Sequence, residues 1–222
     1  CQIPLLRKAD PSDLPWAELA VDVVLECTGF FRSREGASKH LTAGAKRVII
    51  GAAPFDTVDA AIVYGVNHDQ ILPAHRVLSS VSCTTQALVP LVKILDDAFG
   101  IESALMTEIH AVTTDQAVLD HAHRDPRRAR ASGFNIIPTT SSALGALKNV
   151  MPQMEGRIEG YSIRVPTINV SVVDRTGTAK RPPSVDEGNA ILKAASEGEL
   201  AGILGYNTLP LVSIDFNRSE ER

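Results

Sequence analysis

The chain has 222 residues, 44% hydrophobic and 22% charged, and its net charge is −4. That length fits one or two domains, and the composition is that of a soluble globular protein with a sizeable core. The charge balance argues against nucleic acid or an anionic membrane as partner; no apolar run approaches a membrane span and no signal peptide is read at the start.

Three cysteines, Cys1, Cys27 and Cys83, include no close pair. This argues against a disulfide framework or zinc knuckle and favours a reducing, cytoplasmic setting. Residue 1 is not Met, so the chain is expected to be a fragment.

Val21 to Cys27 is a near-continuous apolar run ended by Thr28-Gly29, the pattern of a buried parallel strand. Ser33 to Ala43 reads as a helix, with Ser33 as N-cap and Gly44 as its C-terminal cap. Arg47 to Gly51 and Ala61 to Val66 read as further strands. This alternation predicts a doubly wound α/β sheet.

A helix is predicted next. Leu88, Leu91, Val92, Leu95 and Phe99 share one face, Lys93, Asp96 and Asp97 take the other, and Gly100 closes it. Pro90 lies inside and predicts a kink. Beyond Gly100 the spacing predicts strands over Ser103–Val112, Arg157–Pro166, Thr167–Asp174 and Leu209–Phe216, and helices over Ser141–Val150 and Val185–Ser196. Runs of strands with few helices predict an α+β domain on a mixed or antiparallel sheet. The boundary falls near Ser82, giving domains 1–82 and 83–222.

Chemistry concentrates at Ser82-Cys83-Thr84-Thr85, at the start of the long helix. A thiolate, not a thiol, is the nucleophile, and unpaired N–H groups at a helix start favour the anion. His110, in the following strand, is expected to return beside that helix start as a base. A buried core cysteine is the bland alternative, but three surrounding hydroxyls would be costly to bury without partners.

Four strings resemble the phosphorylating glyceraldehyde-3-phosphate dehydrogenase family: Ser82-Cys83-Thr84-Thr85, Thr107 to Thr113, Asn135-Ile136-Ile137-Pro138 and Arg164 to Asp174. Pro15 to Leu19, Val63 to Asn67 and Leu209 to Ser213 lean towards the family's erythrose-4-phosphate branch. The likeness runs essentially from end to end. It implies a Rossmann-type NAD domain followed by a catalytic domain, in a cytoplasmic homotetramer. It also implies thiolate attack by Cys83 on an aldehyde, base help from His110, oxidation of the adduct to a thioester with NAD as acceptor, and release of an acyl phosphate by inorganic phosphate.

The same resemblance assigns the remaining sites. Thr113, Asp115 and Arg164 match the pocket for the phosphate of the aldose phosphate, a role that suits the bidentate guanidinium. Ser82, Thr84, Ser141 and Ser142 match the surroundings of the attacking phosphate. Thr28, Gly29 and Phe30, with Gly51 and Ala52, resemble loops bordering NAD. The glycine-rich pyrophosphate unit and the C-terminal covering helix are not found, so the chain is expected to be the middle of a longer enzyme.

Departures leave the substrate open. Gln86 stands where the family usually has Asn, and Ser141-Ser142 where it has Thr-Gly. Thr113 tilts back towards the triose phosphate. Asp120 to Asp125 reads as a solvated loop rather than a metal site. Against a net negative chain, Arg124, Arg127, Arg128 and Arg130 do not read as a nucleic-acid patch, and the resemblance implies that they belong to a subunit-interface loop. An aspartate-semialdehyde-type dehydrogenase and a non-catalytic interaction fragment are the rival readings.

Overall fold

A computed structural model describes residues 3–217, so Cys1 lies outside the described residues. The chain divides into two compact units, Cys1–Gln86 and Ala87–Arg222.

In the first unit, β1 (Val23–Glu26), β2 (Arg47–Ile50), β3 (Ala60–Ala61) and β4 (Val77–Ser79) form one parallel sheet in the order β1-β2-β4-β3. Helix α1 (Arg34–Thr42) starts at Ser33, whose side chain accepts the Gly36 amide. It ends in a Schellman motif: Ala45 N donates to His40 O, Gly44 N donates to Leu41 O, and Gly44 has φ +110°. Ala37 packs with Val24, Val48, Ile50 and Val77 into the unit's core.

Three sequence expectations change here. Val21 to Cys27 was expected to be buried on both faces, yet Val23 is 45% and Leu25 68% exposed. The core lies on the other face, with Val24 and Glu26. The strand expected over Ala61–Val66 is cut to Ala60–Ala61. Asn67 causes this, because its Oδ1 accepts the Val63 amide and its Nδ2 donates to Ala61 O, replacing ladder partners with a turn. β4 was not anticipated, since three residues carry too little periodicity.

Helix α2 (Cys83–Phe99) runs through Pro90 without interruption. Pro90 has no N–H, so the Gln86 carbonyl loses its intrahelical donor. In the second unit β5 (Ile101–Ala111), β6 (Ile137–Thr139), β7 (Ile158–Val165) and β8 (Ser171–Ala179) form a mixed sheet in the order β6-β7-β5-β8. β5 runs parallel to β7 and antiparallel to β8, and β6 is antiparallel to β7. α3 (Ala143–Val150) and α4 (Val185–Glu197) complete the unit, with Ile94, Ala195 and Leu200 as a helical core.

β8 begins four residues later than expected, because the chain bends at 168–169 and Val170 stands at φ +74°. It then extends through polar Arg175-Thr176-Gly177-Thr178 by pairing with β5. Leu209–Phe216 is not a strand: Ser213–Phe216 is a 3-10 turn, held by Asp215 Oδ2 accepting the Val212 amide. Pro210 lacks the amide a ladder needs there. Among the described residues no helix is long and apolar enough to cross a membrane.

Candidate active site

In the first unit the candidates gather at one edge of the parallel sheet, where the carboxyl ends of its strands lie. Thr28, Gly29 and Phe30 follow β1, Gly51 and Ala52 follow β2, and Ser82-Cys83 follow β4. Open α/β sheets bind ligands at this edge. The loops are tied together. Gly51 N donates to Glu26 O at 2.9 Å, and Ser79 Oγ donates to Ala52 O at 2.8 Å. Gly51 lies so near Cys27 that a Cβ there would stand 3.0 Å from Sγ.

The 28–30 turn hangs on one buried carboxylate. Glu26 Oε1 accepts the Thr28 amide at 2.8 Å and also its hydroxyl, and Thr28 Oγ1 accepts the Phe30 amide at 3.2 Å. Burial pushes the Glu26 carboxyl up, but these hydrogen bonds and one from His40 outweigh it and hold it below the usual range. Gly29 sits at φ +81°, which a side chain would strain, and Phe30 is largely exposed.

Cys83 is the first residue of α2 and is exposed. Ser82 caps the helix: its Oγ accepts the Thr85 amide at 3.1 Å and meets the Thr85 hydroxyl at 2.6 Å. Such a cap is worth about 1 kcal/mol. Cys83 Sγ lies 4.0 Å from the hydroxyl of Thr84, and Thr84 and Thr85 are buried. Val81, two residues before the cysteine, has φ +55°, a strained value for a β-branched residue. Gln86 Nε2 donates to Ser80 O at 2.8 Å and to Ile62 O at 3.1 Å, anchoring the helix start to the sheet edge.

In the second unit His110 and Arg164 are register partners across β5 and β7. His110 Nδ1 lies 2.6 Å from Ala111 O, and Arg164 Nη1 lies 3.0 Å from Nδ1 and 3.1 Å from the same carbonyl. Nδ1 cannot both donate to Ala111 and accept from Arg164. The shorter contact decides: Nδ1–H and Arg164 both donate to Ala111 O.

Thr113 and Asp115 lie in the exposed turn after β5. Gln116 Oε1 accepts the Thr113 amide at 3.0 Å and its hydroxyl at 3.1 Å. Asp115 is paired with Arg128, and His123 Nε2 stands 3.5 Å away. Burial pushes the Asp115 carboxyl up, but the Arg128 and His123 contacts outweigh it and hold it below the usual range. Arg128 also donates to Thr139 Oγ1 at 2.7 Å, so it connects this turn to the strand leading to Ser141 and Ser142. Ser141 Oγ accepts the Ala143 amide at 3.2 Å; Ser142, at the N-cap of α3, makes no side-chain cap.

Sequence reasoning missed several of these residues. Glu26 was absorbed into an apolar strand, and the strain at Val81 has no sequence signal. Arg128 was placed with its arginine neighbours at an interface, and only its spacing from Asp115 and Thr139 in the fold singles it out. Among the described residues no His, Cys, Asp and Glu side chains cluster as metal ligands.

A parallel α/β unit that leads through a helix start bearing an exposed cysteine into a mixed-sheet unit defines a two-unit α/β protein. The family profile of the glyceraldehyde 3-phosphate dehydrogenase C-terminal domain matches residues 82–222. The chain is 53% identical over 218 residues to the plasmid glyceraldehyde-3-phosphate dehydrogenase of Cupriavidus necator, covering 98% of this chain and 65% of that one. It is 50% identical over 219 residues to the glyceraldehyde-3-phosphate dehydrogenase of Geobacillus stearothermophilus, with the same coverage. To that of Xanthobacter flavus it is 50% identical over 210 residues, 95% of this chain and 62% of the relative. This chain belongs to the glyceraldehyde 3-phosphate dehydrogenase family. It spans 62–65% of the length of the curated relatives it matches.

Proposed function

We propose that the protein carries out NAD-dependent, phosphorylating oxidation of an aldose phosphate, with glyceraldehyde 3-phosphate as substrate, through a thioester on Cys83. The observation that carries this is the cysteine itself: exposed, at the first position of a Ser-capped helix, at the ligand-binding edge of a parallel sheet. The amides of a first helical turn stabilise a thiolate and then the oxyanion of its aldehyde adduct.

His110, oriented by the hydrogen bond from Nδ1 to Ala111 O, is the general base that takes the adduct's hydroxyl proton through Nε2. Arg164 and Arg128 supply positive charge and Thr113 a hydroxyl for the substrate phosphate, and Asp115 holds Arg128 in place. Ser82, Thr84, Ser141 and Ser142 receive the second phosphate, which displaces Cys83 and leaves as the acyl phosphate. Residues 28–30, 51 and 52 fit a dinucleotide: a turn with positive φ, an exposed aromatic ring and a side-chain-free approach line the strand ends. When bound, NAD supplies the hydride acceptor. The cytoplasm is its expected location and a homotetramer its expected state, the arginine loop from Arg124 to Arg130 forming part of the subunit contact.

The test is NADH formation with glyceraldehyde 3-phosphate and inorganic phosphate, beside erythrose 4-phosphate. Phosphate-dependent turnover that Cys83→Ala abolishes supports the reading. Undiminished turnover in Cys83→Ala sinks it, and preference for the tetrose transfers the assignment to the erythrose branch. His110→Asn is expected to slow iodoacetamide labelling of Cys83 near neutral pH.

A further inference from the structure

The first unit buries a chain of polar side chains that the chemistry above does not use. Trp16 Nε1 donates to His40 Nδ1 at 3.1 Å, and His40 Nε2 lies 2.8 Å from Glu26 Oε2. Glu26 Oε1 in turn receives both donors of Thr28. His40 is 5% and Glu26 3% exposed. His40 stacks against Trp16 and meets Phe31 edge-on, so the imidazole is fixed on both sides.

Every link in the chain has a direction. An indole N–H only donates, so His40 Nδ1 must be an acceptor. The ring is therefore neutral with its proton on Nε2, and that proton goes to Glu26. The ionised carboxylate collects three donors, from His40 Nε2 and from the amide and hydroxyl of Thr28. This is how a carboxylate stays charged in a dry interior.

We propose that Trp16, His40 and Glu26 form a positioning relay that fixes the Thr28–Gly29–Phe30 turn for dinucleotide binding. None of the three needs to touch the cofactor; they act through Thr28. This inference rests on the reading of residues 28–30 as part of the NAD site.

The directionality makes a specific prediction about coupling. In Glu26→Gln the carboxamide oxygen can still serve Thr28, but its NH2 then faces the Nε2–H of His40. His40 can avoid that clash only by moving its proton to Nδ1, where it meets the indole N–H. The mismatch is passed to Trp16; Trp16→Phe takes away the opposing N–H, and the Nδ1–H is then left facing an apolar ring. Two changes that each disturb the relay thus rescue one another, which independent structural damage would not do.

The experiment uses the full chain as wild type, Glu26→Gln, Trp16→Phe and the double variant. It reads amide hydrogen exchange at Thr28 and Phe30 without cofactor, and NAD affinity by calorimetry. Glu26→Gln is expected to speed exchange and weaken NAD by about tenfold, the effect of one unsatisfied buried polar group. The double variant is expected to recover part of both, because two donors no longer face each other. Nitrogen-15 spectra of wild-type His40 are expected to show the Nε2–H tautomer, a readout that survives if a variant does not fold. An Nδ1–H tautomer, unchanged exchange in Glu26→Gln, or a double variant no better than Glu26→Gln overturns the relay. If the wild type binds no NAD while the exchange pattern and tautomer hold, the cofactor reading of the turn fails and the relay stands as a loop-positioning device.

Discussion

Arg164 and His110 face each other across the parallel pair β5–β7, and both reach the carbonyl of Ala111, with Nη1 and Nδ1 3.0 Å apart. The strand register places a guanidinium beside the imidazole, while the Ala111 carbonyl of the same strand takes the Nδ1 proton. Arg164→Met should leave His110 in its Nδ1–H tautomer, because the Ala111 carbonyl remains, and nitrogen-15 spectra check this. On the proposed role of Arg164 in phosphate binding, the same variant should raise KM for the proposed aldose phosphate by roughly 10- to 100-fold through loss of a charged hydrogen-bond donor. A flipped tautomer would mean that Arg164, not Ala111, is the partner of Nδ1.

Asp59 offers a pH test of the first unit. Burial pushes its carboxyl up, but the amides of Val77 and Arg76 and the Arg34 guanidinium outweigh it and hold the pKa at about 2. The folded value is depressed, so the stabilisation is fully present above the unfolded pKa of about 3.9 and is lost as pH falls through about 2. Asp59→Asn should cost about 2 kcal/mol near neutral pH, with the gap closing between about pH 4 and pH 2. Urea titrations across that range decide it, and a gap independent of pH would show the loss to be geometric.

The fold was legible where a rule has a local residue to act on. Ser33 and Gly44 bound α1, and the stripe from Leu88 to Phe99 gives α2. It was illegible where a distant partner decides. Arg175 to Ala179 carry no apolar alternation, yet β5 pairs with them; Leu209 to Ile214 alternate well, yet Pro210 and Asp215 make a turn. The site shows the same division. Cys83 and His110 stand out because thiols and imidazoles are scarce and reactive, whereas Glu26 and Arg128 owe their places to contacts that the sequence does not display, among them His40 and Asp115, 14 and 13 residues away. Val81 hides its strain because a β-branched residue does not advertise a positive φ.

Gln86 tests the helix start. Its amide nitrogen donates to two carbonyls, Ser80 O and Ile62 O. Gln86→Asn is one methylene shorter and should lose one of them, costing about 1 kcal/mol. Gln86→Glu places a carboxylate against those two oxygens and should cost about 2–3 kcal/mol at neutral pH. Its carboxyl would be pushed up in the folded state, so lowering the pH should recover part of the loss as the protonated acid regains a donor. Denaturant midpoints at neutral and acidic pH check both, and equal effects of the two variants would mean that the donors are not needed.

Gly160 tests the register that aligns His110 with Arg164. It pairs with Met106, and a Cβ at Gly160 would lie 2.0 Å from Met106 O. That oxygen is backbone in a central strand, so relief requires β5 and β7 to part. Gly160→Ala should therefore cost about 3 kcal/mol or more, the scale of severe overpacking. It should also move the His110 ring signals, because the strain acts on the same strand pair four residues upstream. Gly188 is the control: it lies inside α4 with nothing within 4 Å of an added Cβ. Gly188→Ala should raise stability by about 0.5–1 kcal/mol through helix propensity and a less flexible unfolded chain. Thermal denaturation of both variants separates steric register from general glycine intolerance. If Gly160→Ala melts like the wild type, the close approach of β5 and β7 is wrong, and with it the contact between Arg164 and the imidazole.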